Sequence, residues 1–339
     1  MMDLTWTGNQ FLDRSAHAAT ILSVLSTMDM TTKDDPWSRS VADATAAHFG
    51  LPPDHVRVAA GSTQVLEALL RGAHRGLIVD VTPNFHLAAT LARQEGWDYR
   101  DVPVREPAGL RAALDPYLDR PDATIVLSSP RNPLGYQFDL GDIGSLVARA
   151  AGTVIVDEAY ADFAPDTALR MVTAHPNLAV VRTFSKAWGL ANLRIGFVAS
   201  SALPTGRLRL RLIPNAVAGV AHRAVHHLLT HPGAVEESIR SARACRAEMI
   251  DALADVPGLL VWPSDANYVC IETPTAAQLV AALGEAGYAV RGLHDLRGYP
   301  ADWPAGVRVT VPPHPHLDAV CDVVRRSHRA AAPVRGAAG

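Results

Sequence analysis

Of the 31 basic residues only Lys33 and Lys186 are lysines, so chemistry that needs a side-chain primary amine has two candidates. Lys186 closes Thr183-Phe184-Ser185-Lys186 at the end of an apolar run, where desolvation favours the free, nucleophilic amine. Asp157 ends another such run, 153–156, and leads into Glu158-Ala159-Tyr160. A carboxylate there is costly unless it meets a cation or a protonated base. Gly61-Ser62-Thr63 opens a helical pattern, which turns free N–H groups and the positive end of a helix dipole towards one point. That suits a phosphate, although the same residues also serve as a plain N-cap. Thr82-Pro83-Asn84-Phe85 puts an aromatic ring at a helix start. In Ser129-Pro130-Arg131-Asn132-Pro133-Leu134-Gly135, two prolines and a glycine stiffen a turn around the amide of Asn132.

These residues share one property: each follows a short β-branched run. Segments 56–60, 77–81, 124–128, 154–157, 179–183 and 195–199 read as buried strands. Between them, 63–71, 87–94 and 143–150 carry apolar residues at helical spacing. The alternation predicts an α/β fold, a three-layer arrangement with a mainly parallel sheet covered by helices on both faces. In such sheets ligands sit beyond the carboxyl ends of the strands. After Pro214 two long helices, 216–230 and 234–253, are separated by His231-Pro232-Gly233. Strands at 259–262, 268–271, 289–291 and 307–311, with helices at 276–285 and 316–329, predict a smaller α+β C-terminal unit. The expected division is an arm (1–34), a large unit (35–222), a small unit (223–332) and a tail (333–339).

Composition excludes several classes. The 339 residues are 48% hydrophobic, enough for two packed units, and the net charge of -3 supplies no field for a nucleic-acid backbone. Cys245, Cys270 and Cys321 lie too far apart for a zinc knuckle or a redox dithiol, so reduced thiols and a cytoplasmic setting are expected, with no metal. His314 and His316 have no acid or thiol at ligand spacing and read as loop histidines. The apolar run 18–25 lacks the flanks of a signal peptide, and no apolar stretch reaches the roughly 18 residues that a bilayer demands. No Gly-x-Gly-x-x-Gly follows the first strand, which argues against a nicotinamide enzyme. The roughly 35 residues ahead of the fold are too short and too weakly charged for a DNA-binding domain, which argues against a regulator.

Taken together, Asn132-Pro133-Leu134-Gly135, Asp157-Glu158-Ala159-Tyr160 and Ser185-Lys186 through Arg194 resemble the class I/II, fold-type I pyridoxal-phosphate aminotransferases. The stretch from Lys186 to Phe197 is most similar to the histidinol-phosphate aminotransferase branch. The resemblance implies that the large unit binds pyridoxal 5′-phosphate and that Lys186 forms the internal aldimine and shuttles the substrate proton. It implies that Asp157 pairs with the pyridine nitrogen, Asn132 and Tyr160 bond the ring oxygen, and Phe85 stacks on the ring. The phosphate falls to the backbone of Ser62 and Thr63, the hydroxyls of Thr183 and Ser185, and Arg194. Arg308 takes a substrate carboxylate, with Asn267 near it, and Arg291 a substrate phosphate. A homodimer with shared active sites, a small-molecule amino donor and a 2-oxo acid acceptor such as 2-oxoglutarate are further implications.

The sequence departs from the family at its beginning. The usual Asn-Pro motif and tyrosine are replaced by Thr5-Trp6-Thr7-Gly8-Asn9 and Pro36-Trp37-Ser38-Arg39, which leaves Trp37 or Arg39 to stand in for the tyrosine. Leu134 stands for a threonine and Asn192 for a glycine. The same residues serve an alternative chemistry, decarboxylation as in threonine-phosphate decarboxylase, or amino-acid tailoring in a specialised pathway.

Overall fold

The computed structural model describes residues 1–31, 39–73, 76–206, 208 and 210–331. The chain begins with strand β1 (Met2–Asp3) and helix α1 (Arg14–Leu25), whose N-cap Asp13 accepts from the N–H groups of Ser15 and Ala16. α1 lies in the segment expected to be an arm, where the sequence offered only an apolar run. There follow α2 (Arg39–Phe49), β2 (Val56–Ala59), α3 (Gly61–Ala73), β3 (Ile78–Thr82), α4 (Leu87–Glu95), β4 (Tyr99–Pro103), α5 (Leu110–Leu114), β5 (Thr124–Ser128), α6 (Leu140–Arg149), β6 (Thr153–Asp157), β7 (Leu178–Thr183) and β8 (Gly196–Ala199).

Strands β2 to β8 form a seven-stranded sheet in the order β2-β8-β7-β6-β5-β3-β4. β8 runs antiparallel to both its neighbours and every other pairing is parallel. The strand period of two sorts side chains onto two faces. Ile125, Leu127, Val154, Val156 and Val180 meet α2, α5 and α6 on one side, while Val126, Ile155, Ala179 and Val181 meet α3 and α4 on the other. Both faces are covered, so these strands read as continuous apolar runs. β4 escaped the sequence reading because it is an edge strand: of its five residues only Val102 is buried, and Arg100, Asp101 and Pro103 face outwards.

Helix α7 (Gly219–Thr230) follows the large sheet, and the second unit comprises α8 (Gly233–Ala254), β9 (Leu260–Val261), β10 (Tyr268–Glu272), α9 (Ala276–Glu285), β11 (Tyr288–Ala289), β12 (Arg291–Gly292), β13 (Gly306–Thr310) and α10 (His316–Ala331). Its antiparallel sheet runs β12-β13-β10-β9, and α8, α9 and α10 cover it around Met249, Val269, Leu279, Val309 and Val320. The strand expected at 289–291 is two strands parted at Val290, one pairing with β1 and one with β13. α7 packs on α1 and α2, and its Ala221, Val225 and Leu228 join the core of the large unit, so residue 222 lies within a helix. The tail 333–339 and the expected junction at 34/35 lie outside the described residues.

Below the carboxyl ends of β6 and β7 lies a buried ion cluster. Arg182, 3% exposed, donates to Glu158 at 2.9 Å and to Asp162, and its guanidinium carbon sits 4.9 Å from the centre of the Phe49 ring. Glu158 also accepts from the hydroxyl of Thr167 at 2.6 Å and the N–H of Ala168 at 2.5 Å. Removing the cation strands a buried carboxylate. Arg182→Met is therefore expected to cost about 3–5 kcal/mol in urea unfolding; a loss below about 1 kcal/mol, the value of an exposed pair, would contradict this account.

Candidate active site

The carboxyl ends of β5, β6 and β7 and the start of α3 open onto one cavity of about 440 Å³. Its position is the one a parallel sheet dictates, since strand-end side chains and helix N-termini converge there. Lys186 lies just beyond β7. Its Nζ donates to the Thr7 hydroxyl at 2.9 Å, and that hydroxyl is 2.9 Å from the Tyr160 hydroxyl. The ring of Trp6 lies across the amine, with its centre 4.3 Å away, and the Tyr160 ring stands 5.5 Å off.

Asp157 ends β6 at the cavity wall and has no ion-pair partner among the described residues. Its carboxyl accepts from the N–H of Ala159 at 3.1 Å. Burial pushes it up to about 6; the Ala159 N–H opposes the shift, the charge of Glu158 adds to it, and the Lys186 amine opposes it. Ser128, at the end of β5, contributes a buried hydroxyl with no hydrogen-bond partner among the described residues.

One end of the cavity is a cradle of N–H groups. Gly61 adopts φ +83°, and a Cβ on it would stand 3.1 Å from Nη2 of Arg194. Gln64 reaches back to accept from the N–H of Ala60 at 2.8 Å, a capping-box contact that fixes the first turn of α3. Gly196 passes so close that a Cβ would stand 2.8 Å from the nitrogen of Ser62. Arg194 is itself left-handed (φ +49°), donating to the carbonyl of Ala191 at 2.9 Å and reaching the Ser185 hydroxyl at 3.4 Å. Thr183 accepts from the N–H of Ser185 at 3.1 Å.

The other end belongs to the second unit. Arg308, on β13 and 6% exposed, donates from Nη1 to Oδ1 of Asn132 at 2.8 Å and from Nη2 to the carbonyl of Thr5 at 2.7 Å. Its buried Nε has no hydrogen-bond partner among the described residues. Arg291 and Arg297 line the same end and are exposed. At the rim, Phe85 is held through its backbone: the buried Asp80 carboxyl accepts from Asn84 Nδ2 at 2.9 Å and from the Tyr99 hydroxyl at 3.1 Å, and Asn84 Oδ1 accepts from the N–H of Phe85 at 2.8 Å. Burial pushes Asp80, too, up to about 6.

Of the residues singled out from sequence, Ser62, Thr63, Phe85, Asn132, Asp157, Tyr160, Thr183, Ser185, Lys186, Arg194, Arg291 and Arg308 all line this cavity. Asn267 does not. It is buried one layer back, where its Nδ2 donates to the carbonyls of Thr7 at 3.1 Å and Gly8 at 3.0 Å. Arg39 lies in a separate hollow with Asp54 and Arg57, and Trp37 falls outside the described residues. The sequence reading missed Thr5, Trp6 and Thr7 as cavity residues, and Asn84 and Arg297 with them. No spacing rule could have joined Thr7 to a lysine 179 positions away.

Comparison with known proteins agrees with this geometry. Residues 27–324 match the model of the family aminotransferase class I and II. The chain is 30% identical over 285 residues to histidinol-phosphate aminotransferase 2 of Nitrosococcus oceani, covering 82% of this chain and 78% of that one. In structure it is similar to the histidinol-phosphate aminotransferase of Clostridium acetobutylicum, with a TM-score of 0.82 at 15% identity over 97% of this chain and all (100%) of that one. It is similar also to the histidinol-phosphate aminotransferase of Sinorhizobium meliloti solved with pyridoxal-5′-phosphate, with a TM-score of 0.73 at 20% identity over 97% and 91% of the two chains. The chain thus belongs to the class I and II aminotransferases of fold type I, on their histidinol-phosphate aminotransferase branch, and its cofactor is pyridoxal 5′-phosphate.

Proposed function

We propose that the protein moves an amino group from a phosphorylated amino alcohol of the histidinol-phosphate kind to a 2-oxo acid such as 2-oxoglutarate, with Lys186 as the group that carries the proton. The observation that supports this most directly is the position of the Lys186 amine, within a cavity that has an N–H cradle and Arg194 at one end and Arg308, Arg291 and Arg297 at the other. With arginines from both units in its lining, the cavity can hold two anions at once beside the amine.

The residues present fit pyridoxal phosphate. Among the described residues the buried Asp157 carboxyl has no ion-pair partner and the Ser128 hydroxyl no hydrogen-bond partner, both line the cavity, and the cradle at Gly61 has no room for a Cβ without pressing on Arg194. When bound, the cofactor supplies an aldehyde for the substrate amine and a protonated pyridine ring that spreads the negative charge of the α-carbon. Ser62 and Thr63 N–H groups, the hydroxyls of Thr183 and Ser185, and Arg194 would hold its phosphate. Asp157 would hold the ring nitrogen, Asn132 and Tyr160 the ring oxygen, and Phe85 one face.

Lys186 would take the proton from the substrate α-carbon and return it on the far side of the amino nitrogen, two atoms along. Thr7 holds the amine during this exchange by the 2.9 Å hydrogen bond, and Trp6 limits the approach of water. Arg308 orients an α-carboxylate as a fork once the Thr5 carbonyl yields its Nη2, and Arg291 and Arg297 meet a phosphate. A homodimer completing its sites across the interface belongs to the same reading.

Lys186→Ala is expected to lower single-turnover amino transfer roughly 10⁴-fold while the fold persists; a variant keeping more than about a hundredth of the rate would remove Lys186 from the chemistry. Glutamate formation from 2-oxoglutarate with histidinol phosphate as donor tests the substrate pair. Carbon dioxide release from O-phosphothreonine without any glutamate would turn the assignment to decarboxylation.

Arg308→Ala should raise the KM for 2-oxoglutarate roughly 10- to 100-fold and that for histidinol phosphate less, with Arg291→Ala doing the reverse. Equal effects of the two variants on both substrates would refute separate carboxylate and phosphate ends.

In the cofactor-free protein the Asp157 carboxyl stays protonated up to about 6, whereas the unfolded chain ionises near 3.8. The folded state then holds the extra proton, and stability present below pH 4 is lost as pH rises towards 6 and beyond. The Asp157→Asn apoprotein should lose on the order of 3 kcal/mol less than the unaltered apoprotein between pH 4 and 7 in urea unfolding. Parallel pH profiles would show that the carboxyl is already paired.

A further inference from the structure

On the small unit, outside the lining of the cavity that holds Lys186, the fold gathers residues that the sequence kept far apart. Cys245, Glu248 and His314 each bring one ligand atom to a spot where all three atoms lie within 4.8 Å of one another. Cys245 and Glu248 are three apart on α8 and so project from one side of it. His314 comes from the turn ahead of α10, which carries Asp318 one turn in. The sequence reading gave His314 no acid or thiol; the fold gives it both.

The imidazole is fixed at both nitrogens. Nδ1 is 2.9 Å from Asp318 Oδ2, and Nε2 is 2.7 Å from Glu248 Oε2. The backbone N–H of His314 also donates to the sulfur of Cys245. The thiol itself is 8% exposed at the margin of the small unit's core, whereas Glu248 and His314 are open to solvent, so an ion has a way in. An exposed imidazolium between two carboxylates adds little stability, and it has no use for a sulfur atom turned towards the same point.

We propose that Cys245, Glu248 and His314 form a binding site for a divalent transition metal of the zinc type, with Asp318 as the outer partner that orients the His314 ring. One sulfur, one imidazole nitrogen and one carboxylate oxygen make a mixed donor set suited to Zn²⁺ and poorly suited to Mg²⁺ or Ca²⁺. A water fills the fourth position. Binding releases the Cys245 thiol proton and any proton on Nε2 of His314 to solvent, and the metal keeps its charge of +2. Thiolate and carboxylate then balance that charge, while Asp318 stays on Nδ1 and fixes the tautomer. The ion ties α8 to the start of α10 and takes no part in amino transfer.

The test uses chelator-treated holoenzyme and Co²⁺ as the probe. One equivalent should bring a near-ultraviolet thiolate-to-metal band and intensified visible bands, which Zn²⁺ abolishes by displacement. Cys245→Ser should lose the near-ultraviolet band. His314→Gln and Asp318→Asn should each weaken Zn²⁺ binding by at least about tenfold, and Zn²⁺ should raise the thermal midpoint of the unaltered protein but not of His314→Gln. Cofactor absorbance and amino transfer should stay unchanged in all three variants. No thiolate band at one equivalent, a band that survives Cys245→Ser, or equal Zn²⁺ affinity in His314→Gln would overturn the site.

Discussion

Two neighbouring acids at the end of one central strand, Asp157 and Glu158, are both buried, and the protein treats them in opposite ways. Successive residues on a strand face opposite sides, and here one side is the protein interior and the other the cavity. Glu158 meets Arg182, Thr167 and Ala168, so its charge is met from within. Asp157 meets a single backbone N–H and otherwise only the cavity. Low polarity raises the cost of an unpaired charge and the gain from pairing it, so the uncompensated acid is a receptor for a cation. The flanking strands β5 and β7 cover it on either side, so it is buried at the cavity wall.

The second dependence runs through the first nine residues. Beyond β1 the chain bends and joins no sheet among the described residues, so its backbone groups must be satisfied in some other way. Side chains do so: Arg308 takes the carbonyl of Thr5, Thr310 that of Trp6, and Asn267 those of Thr7 and Gly8. The strand that presents Arg308 to the cavity is also the strand that holds this segment in place. Thr7 and Trp6 reach Lys186 only because the small unit has fixed the backbone beneath them.

The large sheet was legible because burial on both faces writes uninterrupted apolar runs, and the active-site residues were legible because parallel strands deliver them at predictable ends. Asp157, Lys186 and Asn132 each stood directly after such a run. β4 was hidden, because an edge strand needs only one apolar side chain, and Val102 alone carries it. Trp6 and Thr7 were hidden for a different reason: nothing in Thr5-Trp6-Thr7 marks it as a cavity wall, since its conformation is set by residues some 260 to 300 positions later. The contact of His314 with Glu248 was hidden in the same manner, because spacing along a chain says little about a residue 66 positions earlier.

The hydrogen bond from Arg308 to Thr5 joins positions 303 residues apart. Thr7 and Asn9 also meet Tyr160, Lys186 and Ala187 of the large unit, but the carbonyls of residues 5 to 8 are met by residues between 267 and 310, so the segment is held in full only with the small unit in place. The large sheet needs none of that segment and can collapse earlier, with its cradle at Gly61 and its carboxylate at Asp157 already formed. Contacts of such long separation form slowly and late. The cover over the Lys186 amine therefore closes through some of the longest-range contacts of the fold, and an opening of the small unit would loosen that cover while the large sheet stays intact.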